Sequence, residues 1–260
     1  MLKGKTAIVT GSTSGIGKAI AEAMAQEGCN IVYNGMGDKG EIAALVKQTA
    51  DKYNVKTIYS AADMTKPADI AQMVKDGETQ LGSVDILVNN AGIQFTAPVE
   101  EFPADKWDAI IAINLSASFH SIKAALPGMK KRGFGRIINI SSVHGLVASE
   151  FKVAYVSAKH GLVGMTKTVA LECAPTPVTC NAICPGWVHT PLVQKQIEDM
   201  AKQDNISVQA ATEKLLIEKE PSKRFTYAED IAAMAVFLCG DHASNITGSA
   251  YTLDGAWSAQ

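Results

Sequence analysis

The chain has 260 residues, of which 47% are hydrophobic and 19% are charged, and its formal net charge is −2. These values are typical of a globular protein with a sizeable core, and without a basic block they exclude a nucleic-acid-binding surface. Because no apolar run has the length of a signal peptide or a membrane span, we expect a cytoplasmic protein that acts on small molecules and does not bind membranes.

The cysteines favour the same compartment. Their number is odd and they form no short disulfide framework, which suits a reducing environment. Cys180 and Cys184 lie four residues apart, but no second pair and no histidine pair completes a metal site, so we expect buried thiols and no bound metal. The five cysteines are Cys29, Cys173, Cys180, Cys184 and Cys239.

The first predicted element is a strand over residues 6–10, followed by a glycine-rich turn and a helix around residues 19–25. Gly11, Gly15 and Gly17 allow a sharp turn, close approach of a phosphate to the main chain and close helix packing. A glycine-rich turn alone is a weak signal, and its G-x-x-x-G-x-G spacing differs from the G-x-G-x-x-G of many dehydrogenases. Strand, glycine turn and helix in this order nevertheless predict a dinucleotide site.

The second predicted strand, residues 30–33, ends at Asn34 and Gly35. An acidic residue here would bind the ribose hydroxyls of NAD, and a basic residue would bind the phosphate of NADP. Neither is present, so these residues leave the choice open, and Lys18 is a candidate charge for NADP. After a third strand at residues 57–62, Asp63 either accepts a hydrogen bond from an adenine amino group or caps the next helix.

A fourth predicted strand, residues 84–88, leads into the run Asn-Asn-Ala-Gly at residues 89–92. The small residues of this run allow the backbone to pass close to a cofactor. A long helix is predicted through residues 107–115, where Asn114 stands among apolar neighbours. A buried amide without partners costs about 1–3 kcal/mol, so we expect Asn114 to be hydrogen-bonded.

The fifth predicted strand, residues 136–141, presents Ser142 at its end, where ligands collect in parallel sheets. Tyr155 and Lys159 follow, four residues apart and therefore on one face of a predicted helix. A neighbouring ammonium favours the phenolate and lowers the pKa of the tyrosine, which makes Tyr155 a candidate acid or base. Such a pair alone is more often a rim tyrosine with a solvated lysine, but the preceding dinucleotide turn favours a catalytic pair.

A sixth predicted strand, residues 178–184, ends in Pro185-Gly186-Trp187, and a seventh covers residues 250–253. Residues 188–225 contain two amphipathic helical pieces, 194–200 and 210–216. An insertion of this length predicts a substrate lid, with a surface hairpin or a subunit contact as the alternatives. Alternating strands and helices predict one doubly wound α/β domain over residues 1–260, a parallel sheet with helices on both faces.

Together these motifs resemble the classical short-chain dehydrogenase/reductase family over essentially the whole chain. They occur in the family's order and spacing: Thr10-Gly11-x-x-x-Gly15-x-Gly17, Asn89-Asn90-Ala91-Gly92, Asn114, Ser142, Tyr155-x-x-x-Lys159 and Pro185-Gly186. The resemblance implies a seven-stranded Rossmann-type sheet, hydride transfer with a nicotinamide cofactor and a homotetramer.

The resemblance also implies the roles of the residues that match these motifs. Ser142 would orient the substrate oxygen, and Tyr155 would be the general acid or base. Lys159 would lower the phenol's pKa and bind the nicotinamide ribose, and Asn114 would hold a water that links Lys159 to solvent. The implied cofactor-binding residues are Gly11, Thr13, Ser14, Gly15, Ile16, Gly17, Gly35, Asp63, Met64, Asn90, Ala91, Gly92, Tyr155, Lys159, Pro185, Gly186, Val188 and Thr190.

Within the family, the chain is similar to the soluble bacterial D-3-hydroxybutyrate dehydrogenases, notably over residues 90–94, 142–149, 184–188 and 191–193. This similarity implies NAD as cofactor and a small 3-hydroxy or 3-oxo acid as substrate. The implied ligands of the substrate carboxylate are Gln94, His144, Lys152 and Gln196, and Trp187 and Trp257 would shape its methyl end.

Two alternatives stay open from the sequence. One is an NADP-dependent reductase of a 3-oxoacyl thioester on an acyl carrier protein, which would want an open channel and a basic surface for the carrier. The other is a cofactor-binding regulator without turnover, against which Ser142, Tyr155, Lys159 and Asn114 argue.

Overall fold

A computed structural model describes residues 2–259 of the chain, apart from the side chains at positions 192 and 218. Its strands are β1 (Thr6–Val9), β2 (Asn30–Asn34), β3 (Thr57–Ser60), β4 (Ile86–Asn89), β5 (Gly135–Ile140), β6 (Val178–Pro185), β7 (Val188–His189), β8 (Thr226–Tyr227) and β9 (Ala250–Leu253). Seven of them form a parallel sheet in the order β3-β2-β1-β4-β5-β6-β9. The predicted seven-stranded parallel sheet is confirmed, with strand ends that differ by one or two residues.

Helices cover both faces of this sheet. They are α1 (Gly15–Gln26), α2 (Lys39–Tyr53), α3 (Pro67–Leu81), α4 (Ala104–Ile111), α5 (Ala117–Arg132), α6 (Val153–Cys173), α7 (Pro191–Gln203), α8 (Val208–Lys219) and α9 (Ala228–Cys239). One apolar core packs α1 and α9 against the sheet, and a second packs α3, α5 and α6 against its other face. Strands β1, β4, β5 and β6 are buried throughout, which explains why they are nearly continuous apolar runs.

The predicted helix around residues 107–115 is longer than expected and changes its winding in the middle. Helices α4 and α5 join through a π-helical segment, Ala112–Ser116, where the N–H of Ala117 bonds to the carbonyl of Ala112. This π turn, which the sequence did not predict, contains Asn114. Such turns insert one extra residue into the helical ladder and often occur at functional sites.

The joined helix also has the length and composition of a membrane span, with a mean hydropathy of 1.4 over its most apolar window. The sequence-based expectation of no such run is therefore corrected. In the fold this helix packs in the core, where Ala117, Ser121, Ala125 and Met129 are buried. Contact with the sheet and with α3 accounts for part of its apolar composition, since 39% of that window is buried.

A chain of buried amides and hydroxyls links the sheet to two helices. Ser121 donates to Asn89, Asn89 donates to Asn139 at 2.8 Å, and Asn139 donates to Thr166 at 2.8 Å. The Thr166 hydroxyl donates in turn to the carbonyl of Leu162 at 2.8 Å. Because each polar group has a partner, burial of this chain is tolerated, and it fixes α5 and α6 relative to β4 and β5.

We therefore expect Thr166→Val to lower the free energy of unfolding by about 1–3 kcal/mol, since it leaves a buried Asn139 N–H without an acceptor at unchanged side-chain volume. The matched control is Thr79→Val on α3, whose exposed hydroxyl bonds only to its own helix. Its expected effect is about 0.5 kcal/mol or less. Urea unfolding at one protein concentration measures both, and equal effects would contradict this role for the buried chain.

Candidate active site

The glycine-rich turn after β1 is held open by hydrogen bonds from the end of β4. The Thr10 hydroxyl accepts from the backbone N–H groups of Asn90 at 2.9 Å and Ala91 at 3.0 Å. The Asn90 side chain donates to the carbonyls of Thr10 at 2.9 Å and Gly11 at 3.2 Å. A side chain at Gly17 would overlap the Asn90 amide and the Gly11 carbonyl. Asn90 therefore shapes the turn, and Gly17 leaves room for it.

The turn has the geometry that a dinucleotide diphosphate needs. Gly11 and Gly15 have φ angles of +63° and +54°, which favour glycine. Above Gly15 the space is open, since a Cβ there would meet only the Thr190 methyl at 3.9 Å. Ser14, the N-cap of α1, makes no capping hydrogen bond with its side chain. The first turn of α1 therefore offers backbone N–H groups and the positive end of its dipole, which suits a nicotinamide dinucleotide.

Asn34 at the end of β2 is a structural centre that the sequence analysis missed. Its buried side chain donates to the carbonyls of Ser60 at 3.1 Å and Ala62 at 3.0 Å. Its backbone carbonyl accepts from the Ser12 hydroxyl and from the Ser12 N–H. The amide thus ties three strand ends together and points inward. The sequence signal, a polar residue closing an apolar strand, was interpreted only as a missing charge.

The predicted adenosine-side residues surround this centre. Thr13 donates to the carbonyl of Met36 at 2.8 Å and lies against Gly35, and Tyr59 donates to the carbonyl of Gly35 at 2.7 Å. Among these described residues there is neither a carboxylate nor a cation. Lys18, the candidate charge for NADP, lies 3.8 Å from Glu22 on the same helix.

The Asp63 carboxylate is already hydrogen-bonded within the turn that follows it in the chain. Its carboxylate accepts from the backbone N–H of Thr65 at 2.9 Å and from the Thr65 hydroxyl at 2.7 Å, and it lies 3.3 Å from the Lys66 ammonium. These hydrogen bonds, the backbone one first, lower the pKa of Asp63. The side chain organises the turn that enters α3, and adjacent Met64 packs against the apolar core beneath.

Asn114 in the π turn holds the segment that follows β4. Its side-chain oxygen accepts from the N–H of Ile93 at 2.9 Å, and its amide donates to the carbonyl of Ile93 at 2.9 Å. Gly92 lies against this amide, since a Cβ there would sit 3.5 Å from the Asn114 oxygen. Both polar atoms of the side chain are thus engaged with backbone. The expected hydrogen bonding of this buried amide is present.

Ser142 and His144 are placed together at the end of β5. Ser142 caps a single 3₁₀ turn, with its hydroxyl accepting from the His144 N–H at 3.2 Å. The His144 ring lies 3.4 Å from that hydroxyl through Nδ1 and 2.9 Å from the Ser149 hydroxyl through Nε2. Burial, assisted by the charges of Lys152 and Lys219, lowers the pKa of His144 to about 4. Its imidazole is therefore neutral at neutral pH.

Tyr155 and Lys159 share one face of α6, as their spacing predicts. The Lys159 ammonium lies 5.4 Å from the centre of the Tyr155 ring and donates to the carbonyl of Ile140 at 2.8 Å. Its burial lowers its pKa to about 8. The expectation of a lowered Tyr155 pKa is wrong for this structure: desolvation raises it, and the hydrogen bond with Ser142 opposes this rise only in part. Burial is the largest cause of this raised pKa.

The substrate-side residues fall into two groups. His144 stands edge-on to Tyr155 and Trp257, with ring centres 6.0 and 5.2 Å apart, and the Lys152 ammonium lies 5.5 Å from the Trp187 ring centre. The charge of Lys152 also acts on His144, which links these five side chains into one group. Gln94 and Gln196, in contrast, are exposed. No hydrogen bond among the described residues joins either of them to that group.

The last predicted cofactor residues connect β6 to the insertion. Pro185 pairs with Leu253 in the sheet, and Gly186 donates to the Leu253 carbonyl at 2.9 Å. Val188 is buried in β7, which pairs with β8 and closes the base of the insertion. Thr190 caps α7 by accepting from the backbone of Val193 at 3.3 Å. The insertion therefore starts against the glycine-rich turn.

Comparison with known proteins agrees with this geometry. A family model described as enoyl-(acyl carrier protein) reductase, one of the short-chain dehydrogenases/reductases, matches residues 11–258. The chain belongs to the short-chain dehydrogenase/reductase family and is an oxidoreductase of the nicotinamide-dependent kind.

Individual relatives narrow the comparison further. The chain is 53% identical to the D-beta-hydroxybutyrate dehydrogenase of Cupriavidus necator, with both chains covered in full, and 52% identical to that of Rhizobium meliloti, with 98% and 99% covered. A 3-oxoacyl-[acyl-carrier-protein] reductase of Staphylococcus epidermidis is 34% identical, with 96% and 98% covered. The structure of L-sorbose reductase from Gluconobacter frateurii with NADPH and L-sorbose superposes with a TM-score of 0.93 at 31% identity, covering 98% and 97%.

We expect the His144 ring to stay neutral from pH 5.5 to 8. Its folded-state pKa lies below the ordinary 6.5, so the stability it contributes is complete above that value and is lost as pH falls through about 4. Ring carbon and nitrogen chemical shifts measured by NMR, with His144→Gln to assign the signals, test this. A titration midpoint near 6.5 would show that the imidazole is not desolvated.

Proposed function

We propose that the protein is an NAD-dependent dehydrogenase that interconverts D-3-hydroxybutyrate and acetoacetate. The observation that carries the proposal is the placement of Lys152 immediately before α6, one turn ahead of Tyr155. A small acid bound between them would present its carboxylate to the ammonium and its oxygen at C3 to the phenol. The two D-beta-hydroxybutyrate dehydrogenases at 52% and 53% identity support the same substrate.

The electrostatics of this end of α6 favour an anion. A lysine at the N-cap faces the positive end of the helix dipole, which is the less favourable end for a cation. His144 cannot share the positive charge, because the charges of Lys152 and Lys219 help to keep its ring neutral. A bound carboxylate would interact favourably with both the Lys152 ammonium and the N-terminus of α6 through charge-assisted hydrogen bonds. His144 would add a hydrogen bond without charge.

At the C3 oxygen of the proposed substrate, the hydroxyl groups of Tyr155 and Ser142 suit the transfer of a proton. When bound, the nicotinamide ring accepts hydride from C3 of the alcohol or returns it to the ketone. In oxidation Tyr155 takes the hydroxyl proton, and in reduction it gives that proton to the forming alkoxide. The Ser142 hydroxyl donates to the same oxygen and stabilises its developing charge.

Lys159 and Asn114 complete the proton path. The Lys159 ammonium stays near Tyr155 and holds the nicotinamide ribose. The main-chain carbonyl of Asn114 would bind the water that links Lys159 to solvent. The side-chain oxygen and nitrogen of Asn114 are not available for this role, because both are hydrogen-bonded to the backbone of Ile93. The π turn supports this assignment, since its extra residue leaves a carbonyl outside the regular helical ladder.

The preference for NAD over NADP follows from the end of β2. A 2′-phosphate needs a cation beside Gly35, and the described contacts of Gly35 are the neutral side chains of Thr13 and Tyr59. Lys18 lies beside the Glu22 carboxylate. With neither an acid to select NAD nor a base to select NADP, the expected preference is modest and comes from the missing phosphate ligand.

Residues 188–225 act in this proposal as a lid within a single domain of residues 1–260. Helices α7 and α8 pack on each other through Ile197, Ala201 and Ala211. The ends of the insertion are held together by a separate two-stranded pairing of Val188 with Thr226. Because α7 and α8 share a small apolar core and are connected to the rest of the protein through β7 and β8, they are suited to moving together as one unit. Closure would bring the exposed Gln196 of α7, and the facing Gln94, onto the carboxylate.

We also propose a cytoplasmic homotetramer. All five cysteines are buried free thiols, which suits a reducing compartment. Trp107, Phe119 and Leu171 are exposed on α4, α5 and α6, and Leu171 is 76% exposed. Large apolar side chains on adjacent helices favour a helix-to-helix contact with a second copy.

Initial rates with D- and L-3-hydroxybutyrate, each with NAD and NADP, test the proposal. We expect the D-isomer with NAD to give the highest kcat/KM. A higher kcat/KM for a 3-oxoacyl thioester with NADPH than for acetoacetate with NADH would identify the protein as a thioester reductase instead. Binding of NADH without reduction of any of these carbonyls would identify it as a cofactor-binding regulator.

Replacing Tyr155 with phenylalanine removes the proton donor without changing the ring. We expect turnover to fall about 10²–10⁴-fold, because the alkoxide is no longer protonated as it forms. Binding of NADH, followed by its fluorescence, should be retained. Tyr53→Phe, remote from the site on α2, serves as the control, and near-normal turnover of Tyr155→Phe would remove this residue as the acid.

Lys152→Ala removes the carboxylate ligand and should raise the KM for acetoacetate about 10- to 150-fold, since hydrogen bonds to charged groups contribute about 1.5–3 kcal/mol. The methyl ester of acetoacetate carries no carboxylate, so its kcat/KM should change little. Lys195→Ala, at an exposed position of α7, is the matched control. Equal losses for acid and ester would show that Lys152 does not bind the carboxylate.

A further inference from the structure

A fully buried carboxylate at the end of the lid helix takes no part in the chemistry proposed above. Glu220 terminates α8, and its side chain is completely buried. One oxygen, Oε1, accepts a hydrogen bond from the backbone N–H of Trp187. The other oxygen, Oε2, has no hydrogen-bond partner in the part of the chain that the structure describes.

Three loops meet at this carboxylate. Gly186 leaves room for it, because a Cβ at that position would overlap Oε1. Gly255 lies on the opposite side, where a Cβ would sit 3.3 Å from Oε2. Ser222, two residues beyond Glu220, donates its backbone N–H to the Gly255 carbonyl at 3.0 Å. Both neighbouring loops therefore carry glycine where a side chain would displace the carboxylate.

Those loops carry Trp187 and Trp257, the two tryptophans of the proposed substrate site. The backbone N–H of Trp187 donates to Glu220, and the Trp187 ring lies beside the Lys152 ammonium. Trp257 follows Gly255 in the chain and stands against His144. The Trp187 indole N–H is also buried without a partner in the described residues, so the ring position is set by packing and by its backbone.

We propose that Glu220 is a positioning residue for the substrate: it joins the end of lid helix α8 to the Trp187 loop and holds Trp187 beside Lys152 when its carboxyl group is protonated. This inference rests on the proposed function for its substrate. The joint itself is a feature of the fold and has its own measurement.

The charged groups around Glu220 determine its protonation. Asp254, from the loop after β9, adds a negative charge that opposes ionisation. Lys152, at the start of α6, lies 5.5 Å from the centre of the Trp187 ring, and Lys219 and Lys223 lie near Glu220 along the chain. Burial is the largest influence and raises the pKa of Glu220 to about 7, against the lowering effect of the Trp187 N–H.

The sign of the pH effect follows directly. The folded-state pKa lies above the ordinary value of 4.5, so the joint is most stable at low pH and weakens as pH rises through about 7. Ionisation places a second negative charge beside Asp254 in a site without water-facing atoms. We expect the Trp187 loop to loosen and the KM of the acid substrate to rise above neutrality.

The test compares the wild-type enzyme with Glu220→Gln, which keeps an acceptor for the Trp187 N–H but does not titrate. Between pH 6.5 and 8.5 the KM for D-3-hydroxybutyrate should rise about 3- to 20-fold in the wild type as the carboxyl group ionises, and stay nearly constant in the variant. Glu213→Gln, an exposed carboxylate on α8, should follow the wild-type curve. Parallel curves for wild type and Glu220→Gln would overturn the proposal.

Two further measurements separate this proposal from a general loss of folding and from the proposed function. Glu220→Ala should raise KM at every pH while the protein keeps a single cooperative unfolding transition in urea, which separates a local effect from a loss of folding. Hydrogen exchange of the peptide containing the Trp187 amide needs no substrate. Its protection should survive in Glu220→Gln and be lost in Glu220→Ala, and unchanged protection in the alanine variant would refute the joint even if another substrate were found.

Discussion

Two hydrogen bonds between β5 and α6 fix the geometry on which the site depends. The Lys159 ammonium donates to the carbonyl of Ile140, and the Ser141 hydroxyl donates to the carbonyl of Lys159 at 3.1 Å. Gly145 permits this approach, since a Cβ there would sit 2.5 Å from the Ser141 hydroxyl and 2.9 Å from the Lys159 carbonyl. With the helix held at the strand end, Tyr155 lies within hydrogen-bonding reach of Ser142, and Lys152 stands at the start of the same helix.

Desolvation then decides which groups carry charge. Lys159, His144 and Glu220 are buried, and in each case burial is the main cause that moves the pKa toward the neutral form. Lys152 is only half-buried at the helix start and keeps a charge that acts on its surroundings. Lys152 therefore provides positive charge beside groups that are mostly neutral, which is the arrangement that the proposed acid substrate requires.

Much of the fold could be predicted from the sequence because local patterns determine it. Continuous apolar runs gave the strands of the parallel sheet, and the spacing of Tyr155 and Lys159 gave a shared helix face. The roles of Thr10 and Asn34 could not be inferred in this way, since their hydrogen bonds join residues that are 22 to 81 positions apart. The π turn at Asn114 likewise depends on packing between helix and sheet rather than on local propensity.

The pKa directions expected from the sequence are wrong where they depend on how deeply a side chain is buried. The sequence places a lysine beside a tyrosine but does not show how strongly the fold desolvates them, and desolvation raises the Tyr155 pKa instead of lowering it. Nothing in the sequence singles out Glu220. Its burial and its hydrogen bond from the Trp187 N–H emerge only from the assembled fold.

The most direct test of the account is a crystal structure of the ternary complex with NADH and acetoacetate. The account predicts that the carboxylate lies within hydrogen-bonding distance of the Lys152 ammonium and that the keto oxygen lies between the hydroxyls of Ser142 and Tyr155. A carboxylate that pointed away from Lys152 would contradict the proposed substrate, whereas membership of the family would stand.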